Sequence, residues 1–297
     1  MKIVITGALG HVGSKLIRGL DHELILIDNM NTQAYPSLFK IKANHRFIQA
    51  DILDMELEKE LIGADVVINL AAIADPENSL KQKDEVWRVN YTGTERVART
   101  CMKLGIPMIF VSTTSVYGVQ EEEVDETCKT LKPQTPYAEY KIKAEELLTE
   151  LGKQGLRFIT CRLGTIFGPT PGMRFHTAVN RFCFQAAIGQ PITVWKTALN
   201  QNRPYLAIED LVRAMNFIID NKVYTNEIYN VVTINTTVGN IIEIIREVIP
   251  DLSINYVDSP IMSQLSYTIS NKKFRELGFD FVGNISKGVK ATLRMLL

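Results

Sequence analysis

No two cysteines lie close enough in sequence to act as a unit. Cys101, Cys128, Cys161 and Cys183 are far apart and form no C-x-x-C pair, which excludes a dithiol redox motif and the usual zinc-ribbon pattern. Histidine is scarce as well. His11, His22, His45 and His176 show no metal-ligand spacing, so no metal is expected, and they read as loop or surface residues. Charge of one sign is missing: Lys plus Arg and Asp plus Glu both number 33. Without a basic block, nucleic acid and anionic membrane are poor partners. No apolar run approaches the roughly 20 residues that span a bilayer. The opening MKIVIT is a short β-branched run and not a charged segment followed by a long apolar core, so no signal peptide is expected. Scattered thiols without a secretory signal fit a reducing cytoplasm.

What is present is an ordinary globular composition, with 46% hydrophobic and 22% charged residues in a 297-residue chain. Short apolar runs alternate with amphipathic stretches through the first half. Strands are predicted at KIVIT (Lys2 to Thr6), ELILID (Glu23 to Asp28), DVVINLA (Asp65 to Ala71), PMIFVST (Pro107 to Thr113) and RFITCRL (Arg157 to Leu163). Helical spacing appears at His11 to Leu20, Val86 to Leu104 and Ala138 to Leu151. Continuous apolar strands separated by helices imply a parallel sheet covered on both faces. The handedness of βαβ units then gives a doubly wound, Rossmann-type α/β domain.

After Gly168 the rhythm changes. GPTPG (Gly168 to Gly172) is a loop by its composition. Helices are expected near Ala178 to Ile188, Leu211 to Ile219 and Gly239 to Ile249, with a strand near Pro191 to Trp195 and a terminal helix. The expected division is a dinucleotide-binding domain over 1–168, joined by later crossover segments, and a smaller mixed α/β substrate lobe over 169–297.

Two motifs carry chemistry. TGALGHVG (Thr6 to Gly13) places Gly7, Gly10 and Gly13 where a strand turns into a helix. The first glycine permits the turn, the second lets a pyrophosphate approach the backbone, and the third lets the helix pack closely. The helix N-terminus then faces the phosphates. Asp28 ends the next strand about 20 residues on, where an acid can bind a ribose 2′-hydroxyl. No Arg or Lys follows in DNMNTQ (Asp28 to Gln33), which favours NAD over its 2′-phosphorylated form. The second motif is YAEYK (Tyr137 to Lys141). Residues four apart share a helix face, so the ammonium of Lys141 can favour the phenolate of Tyr137 and bring its pKa, ordinarily near 10, towards the range of a useful base.

Together with ADIL (Ala50 to Leu53), NLAAIA (Asn69 to Ala74), VNYTGT (Val89 to Thr94), STTSVYG (Ser112 to Gly118) and RLGTIFGP (Arg162 to Pro169), these motifs resemble the extended short-chain dehydrogenase/reductases. That group contains nucleotide-sugar epimerases, dehydratases and reductases, and the resemblance runs from Met1 to about Leu277. It implies NAD as cofactor, held by Gly7, Gly10, His11, Val12, Gly13, Asp28, Asn29, Asp51, Ile52, Leu70, Ala71, Ala72, Asn90, Tyr137, Lys141 and Leu163. It implies Tyr137 as base, Lys141 as the cation that also grips the nicotinamide ribose, and Thr113 as the hydroxyl that orients the substrate oxygen. Substrate contacts are expected from Thr113, Thr114, Tyr137, Thr165, Arg174, Asn180 and Arg203, with Asp210 structural.

Departures from the family pattern narrow the chemistry. Dehydratases of the group carry an Asp-Glu pair after the Thr, whereas Thr114 and Ser115 stand here. The family's usual Asn is Thr165, and DSPIMSQLS (Asp258 to Ser266) lacks the family's late Arg. The implied activity is epimerisation of a nucleoside-diphosphate sugar at carbon 4 by transient oxidation. The alternatives are net oxidation of a sugar or other alcohol, dehydration, or a non-catalytic cofactor sensor. The helices around Val86 to Leu104 and Ala138 to Leu151 resemble those that pair across the family's homodimer.

Overall fold

The computed structural model describes residues 1–76, 78–258 and 267–297. The first half runs β1 (Lys2–Thr6), α1 (His11–Gly19), β2 (Glu23–Asp28), β3 (Arg46–Gln49), α2 (Leu57–Leu61), β4 (Val66–Asn69), α3 (Lys83–Trp87), α4 (Thr94–Leu104), β5 (Met108–Thr113), α5 (Pro136–Lys153) and β6 (Phe158–Leu163). The second half adds β7 (Thr165–Phe167), α6 (Ala178–Ala187), β8 (Ile192–Trp195), β9 (Asn202–Ala207), α7 (Ile208–Asp220), β10 (Ile228–Val231), β11 (Ile234–Thr237), α8 (Val238–Arg246), β12 (Ile254–Val257), α9 (Lys272–Arg275) and α10 (Ile285–Leu296).

Seven strands form one sheet in the order β10-β6-β5-β4-β1-β2-β3, and every pairing in it is parallel. Alternate residues of each inner strand feed opposite cores. Ile3, Ile5, Leu24 and Leu26 pack with α1 and α7. Val4, Ile25, Ile27 and Phe110 pack with α4 and α5. Burial on both faces is why these strands read as unbroken apolar runs. Strand order reverses at β1, between β2 and β4, and ligands bind at such a switch point, beyond the carboxyl ends of the strands.

Three elements differ from the sequence expectation. β3 is a four-residue strand too short to stand out. β10, a strand that the sequence reading did not single out, pairs with β6 inside the first sheet. The helix expected over Val86 to Leu104 is broken into α3 and α4 by a π-helical stretch, Arg88–Gly93. Gly105, at φ +68°, ends α4 with a left-handed residue.

The smaller lobe holds its own core, in which Phe182, Val194, Ile241, Ile245 and Val289 join α6, β8, α8 and α10. Asp210, fully buried, ties α7 to the surrounding chain. It accepts from Val282 N (3.0 Å), Gly283 N (2.9 Å) and Thr233 Oγ1 (2.7 Å). It does not cap α7, whose cap position is Ala207. Among the described residues no helix is long and apolar enough to cross a membrane. All four cysteines are free thiols.

Candidate active site

The glycine loop uses its three glycines for three reasons. Gly7 has φ +65°, and a Cβ there would lie 2.7 Å from Ala71 N, so the turn packs backbone to backbone on the exit of β4. A Cβ on Gly13 would lie 2.3 Å from Ala8 O, so α1 presses on the loop itself. Gly10 differs: the nearest atom to a Cβ there is Gly7 O, at 3.5 Å. Its outer side is open, which leaves room for a phosphate to approach the N-terminus of α1.

Asp28 is anchored at the end of β2. Its Oδ2 accepts from Leu9 N (2.9 Å) and its Oδ1 from Met30 N (2.8 Å). Each oxygen retains acceptor capacity for a ribose hydroxyl. Beside it, Asn29 Nδ2 donates to Asp51 Oδ2 (2.8 Å), and Asp51 Oδ1 accepts from Leu53 N (2.9 Å). Ile52 is buried against Gly93. Leu70, Ala71 and Ala72 follow β4 and are partly exposed. Val12 packs on the core from α1. These residues fit a dinucleotide: a turn open at its second glycine, a helix N-terminus and an anchored acid sit together at the switch point.

Two expected cofactor residues also make contacts within the chain. Asn90 is fully buried and trades both amide atoms with Ile73, accepting from its N (2.8 Å) and donating to its O (3.0 Å). It shapes the wall after β4. Leu163 belongs to the core, and its carbonyl accepts from Thr114 Oγ1 (3.3 Å).

Helix α5 delivers the tyrosine and the lysine. Thr135 caps it, accepting from Ala138 N (3.3 Å), and Pro136 follows as its first residue. This start puts Tyr137 in the first turn and Lys141 one turn later. The Thr113 side chain acts on the Tyr137 phenol. Thr113 Oγ1 in turn meets Ser115 Oγ at 2.6 Å and accepts from Ser115 N. Lys141 Nζ donates to Val111 O (2.7 Å) and lies 4.7 Å from the centre of the Phe110 ring. The three expected catalytic residues therefore converge at the end of β5.

The electrostatics differ from the sequence expectation. Burial pushes the Tyr137 phenol up to about 12, opposed first by Arg174 and then by the Thr113 side chain. The cation acting on the phenol comes from the loop after β7, not from the same helix. Burial draws the Lys141 ammonium down to about 8, opposed by Glu145. His11 is drawn down to about 4, mainly by burial and then by Arg174 and His176. Its imidazole is neutral at pH 7, with Nδ1 3.0 Å from Thr170 Oγ1 and Nε2 buried without a partner.

The segment following β7 also closes over the glycine loop. Gly172 N donates to Ser14 Oγ (3.0 Å), and a Cβ on Gly172 would lie 2.4 Å from Leu9 O. Arg174 Nη1 donates to Ala74 O (3.3 Å), and its carbonyl accepts from Asn180 Nδ2 (3.1 Å). Asn180 Oδ1 is buried without a partner.

In the smaller lobe, Arg203 on β9 and Arg181 on α6 line one pocket with Trp195 and Phe182. Arg203 Nε and Nη2 and Arg181 Nε are buried without partners among the described residues. Arg181 is a residue that sequence reasoning missed; its sole signal was a cation within an apolar helix. Thr165 sits on β7, partly exposed, in register with Tyr205. The DSPIMSQLS stretch lies, beyond Asp258, outside the described residues.

A doubly wound sheet with an open glycine turn and a Thr-Tyr-Lys group at the strand ends defines a dinucleotide-dependent enzyme fold of the short-chain dehydrogenase type. The chain belongs to the NAD dependent epimerase/dehydratase family, whose model matches residues 3–231. NAD, the cofactor expected from Asp28, agrees with that membership. The chain is 28% identical, over 98% of its length, to a trifunctional UDP-glucose 4,6-dehydratase/UDP-4-keto-6-deoxy-D-glucose 3,5-epimerase/UDP-4-keto-L-rhamnose-reductase of Arabidopsis thaliana, of which it covers 46%. It spans about half the length of that relative and of two similar Arabidopsis proteins. It is also 28% identical to an uncharacterized UDP-glucose epimerase of Bacillus subtilis, over 78% of this chain and 76% of that one. Among solved structures it resembles the UDP-glucuronic acid 4-epimerase of Bacillus cereus, in complex with UDP-glucuronic acid and NAD. That likeness has a TM-score of 0.90 at 25% identity and covers 100% of this chain and 99% of the other.

Proposed function

We propose that this chain is an NAD-dependent nucleoside-diphosphate-sugar epimerase that inverts carbon 4. One observation carries the reading: Thr113, Tyr137 and Lys141 meet at one strand end, while the two positions after Thr113 hold hydroxyls. Thr114 is buried with its hydroxyl on Leu163 O, and Ser115 hydrogen-bonds Thr113. A 4,6-dehydration needs an acid there for its second proton transfer. With none in place, the chemistry reduces to oxidation and re-reduction at one carbon.

Bound NAD supplies the hydride acceptor and donor. The chain's own residues move the proton and fix the sugar. Tyr137 takes the proton of the 4-hydroxyl and later returns it. Arg174 and the Thr113 side chain favour the phenolate against the cost of burial. Thr113 orients the substrate oxygen, and Lys141 holds the nicotinamide ribose. Arg203 and Arg181 line one pocket and keep nitrogens without partners among the described residues, a donor set suited to a diphosphate.

The strap from Thr170 to Arg174 favours the epimerase over net oxidation, because a cofactor regenerated each turnover has no need to leave. Partly exposed Trp87 and Tyr91 stack at 4.2 Å between ring centroids, and Tyr140 meets Trp87 edge-on at 5.1 Å, on the surface of α3 to α5. They support a homodimer through these helices. A cytoplasmic location fits the four free thiols.

The test is a panel of nucleotide sugars followed by NMR with no added cofactor. A carbon-4 epimer formed by protein that purifies with NAD supports the reading. A requirement for stoichiometric added NAD replaces it with the oxidoreductase.

A further inference from the structure

Behind the Thr-Tyr-Lys group lies a buried ion pair that the mechanism above does not use. Glu145 and Arg162 are 3% and 4% exposed at the side chain, on α5 and β6. Arg162 Nη2 donates to Glu145 Oε2 (2.6 Å) and Nε to Oε1 (3.0 Å). Ser112 Oγ donates to the same Oε1 at 2.5 Å. The Arg162 guanidinium also stacks 4.9 Å from the centre of the Tyr117 ring, while its Nη1 is buried without a partner.

An ion pair this dry is a poor source of stability, since desolvating both charges offsets their attraction. Its placement suggests another use. Glu145 lies one helical turn beyond Lys141, as Lys141 lies one turn beyond Tyr137, so the three share a face of α5. Ser112 is the strand residue immediately before Thr113. The carboxylate thus joins the helix that carries Tyr137 and Lys141 to the strand that carries Thr113.

We propose that Glu145, clamped by Arg162 and Ser112, is a positioning residue that holds α5 against β5 and sets its carboxylate on the helix face that carries Lys141. The proposal rests on the roles given above to Tyr137 and Lys141. The groups acting on Lys141 Nζ are the Val111 carbonyl and the Phe110 ring from β5, and Glu145 from α5. Arg162 faces it from β6 only through the carboxylate it holds. Glu145 is therefore the anion that opposes the loss of the Lys141 proton in a desolvated site.

The test is a titration of the full chain carrying 13C-labelled lysine, with Lys141 assigned by its absence in Lys141→Arg. The wild-type signal is expected to titrate near pH 8. In Glu145→Gln the midpoint should fall by about one pH unit, and Glu145→Asp should restore most of it. Glu145→Gln strands a buried guanidinium and can unfold the chain. The double variant Glu145→Gln/Arg162→Met removes both charges and should show the same downward shift. A folded variant lacking the carboxylate whose Lys141 midpoint stays at the wild-type value would overturn the proposal. The titration is run on the protein as purified and reads no turnover. An inactive wild-type protein would therefore refute the functional reading and leave this shift to be judged separately.

Discussion

In the sheet layer, Asp28, Thr113 and Lys141 each have an internal hydrogen-bond partner. In the smaller lobe, Arg203 and Arg181 keep buried nitrogens with none among the described residues. The three named contacts of the first region are met within the chain, although His11 Nε2 and Arg162 Nη1 there also lack partners among the described residues. The second holds donors whose burial is costly unless something outside the chain satisfies them. Substitutions in the first region should therefore act on the chemical step and on folding, and those in the second on affinity.

The largest expected effect is on the base. Tyr137→Phe should lower the turnover number by about a thousandfold, within the usual range for a general acid-base group, while NAD content stays at the wild-type level. Wild-type turnover in that variant would remove Tyr137 from the reaction.

Acid stability should sharpen the contrast. The folded-state pKa of His11 is about 4 against 6.5 in the unfolded chain, so the unfolded state binds more protons between those values. Stability from this residue is complete above pH 6.5 and is lost as pH falls towards 4, by about 3 kcal/mol. Urea titrations across that range should show a decline that His11→Gln flattens. An equal decline in the variant would assign it elsewhere.

In the smaller lobe, Arg203→Ala should raise KM by about thirtyfold, the worth of a charge-assisted hydrogen bond or two, with turnover nearly unchanged. A fall in turnover at constant KM would move Arg203 into the reacting centre and erase the difference between the regions.

The smallest effect is expected at Gly10. Its missing side chain faces open space, so Gly10→Ala should change folding stability by less than about 1 kcal/mol while weakening NAD retention. Gly13→Ala meets the Ala8 carbonyl and should destabilise by about 1–3 kcal/mol. Paired melting curves and cofactor assays distinguish the two glycines.

The same contrast marks how far the chain could be read before its structure. The glycine turn, the five long apolar strands and the Tyr137–Lys141 spacing are local patterns, and each depends on residues within one turn or one strand. β10 escaped notice because its partner is β6, some 70 residues earlier in the chain and its run is short. The Glu145–Arg162 pair, the action of Arg174 on Tyr137 and the closure of Gly172 over the glycine loop join residues distant in sequence. No spacing rule reports them. Asn90 was legible as a motif residue, but its hydrogen bonds to the amide and carbonyl of Ile73 in the loop after β4 were not.

The central claim is that Tyr137 moves the hydroxyl proton while the carbon-bound hydrogen at position 4 stays within the site. Running the reaction in deuterated water and examining the product by proton NMR tests it directly. The account predicts a carbon-4 epimer that keeps its original hydrogen at that carbon, formed without added NAD. Deuterium at carbon 4 would contradict it, since the hydrogen would then have passed through solvent.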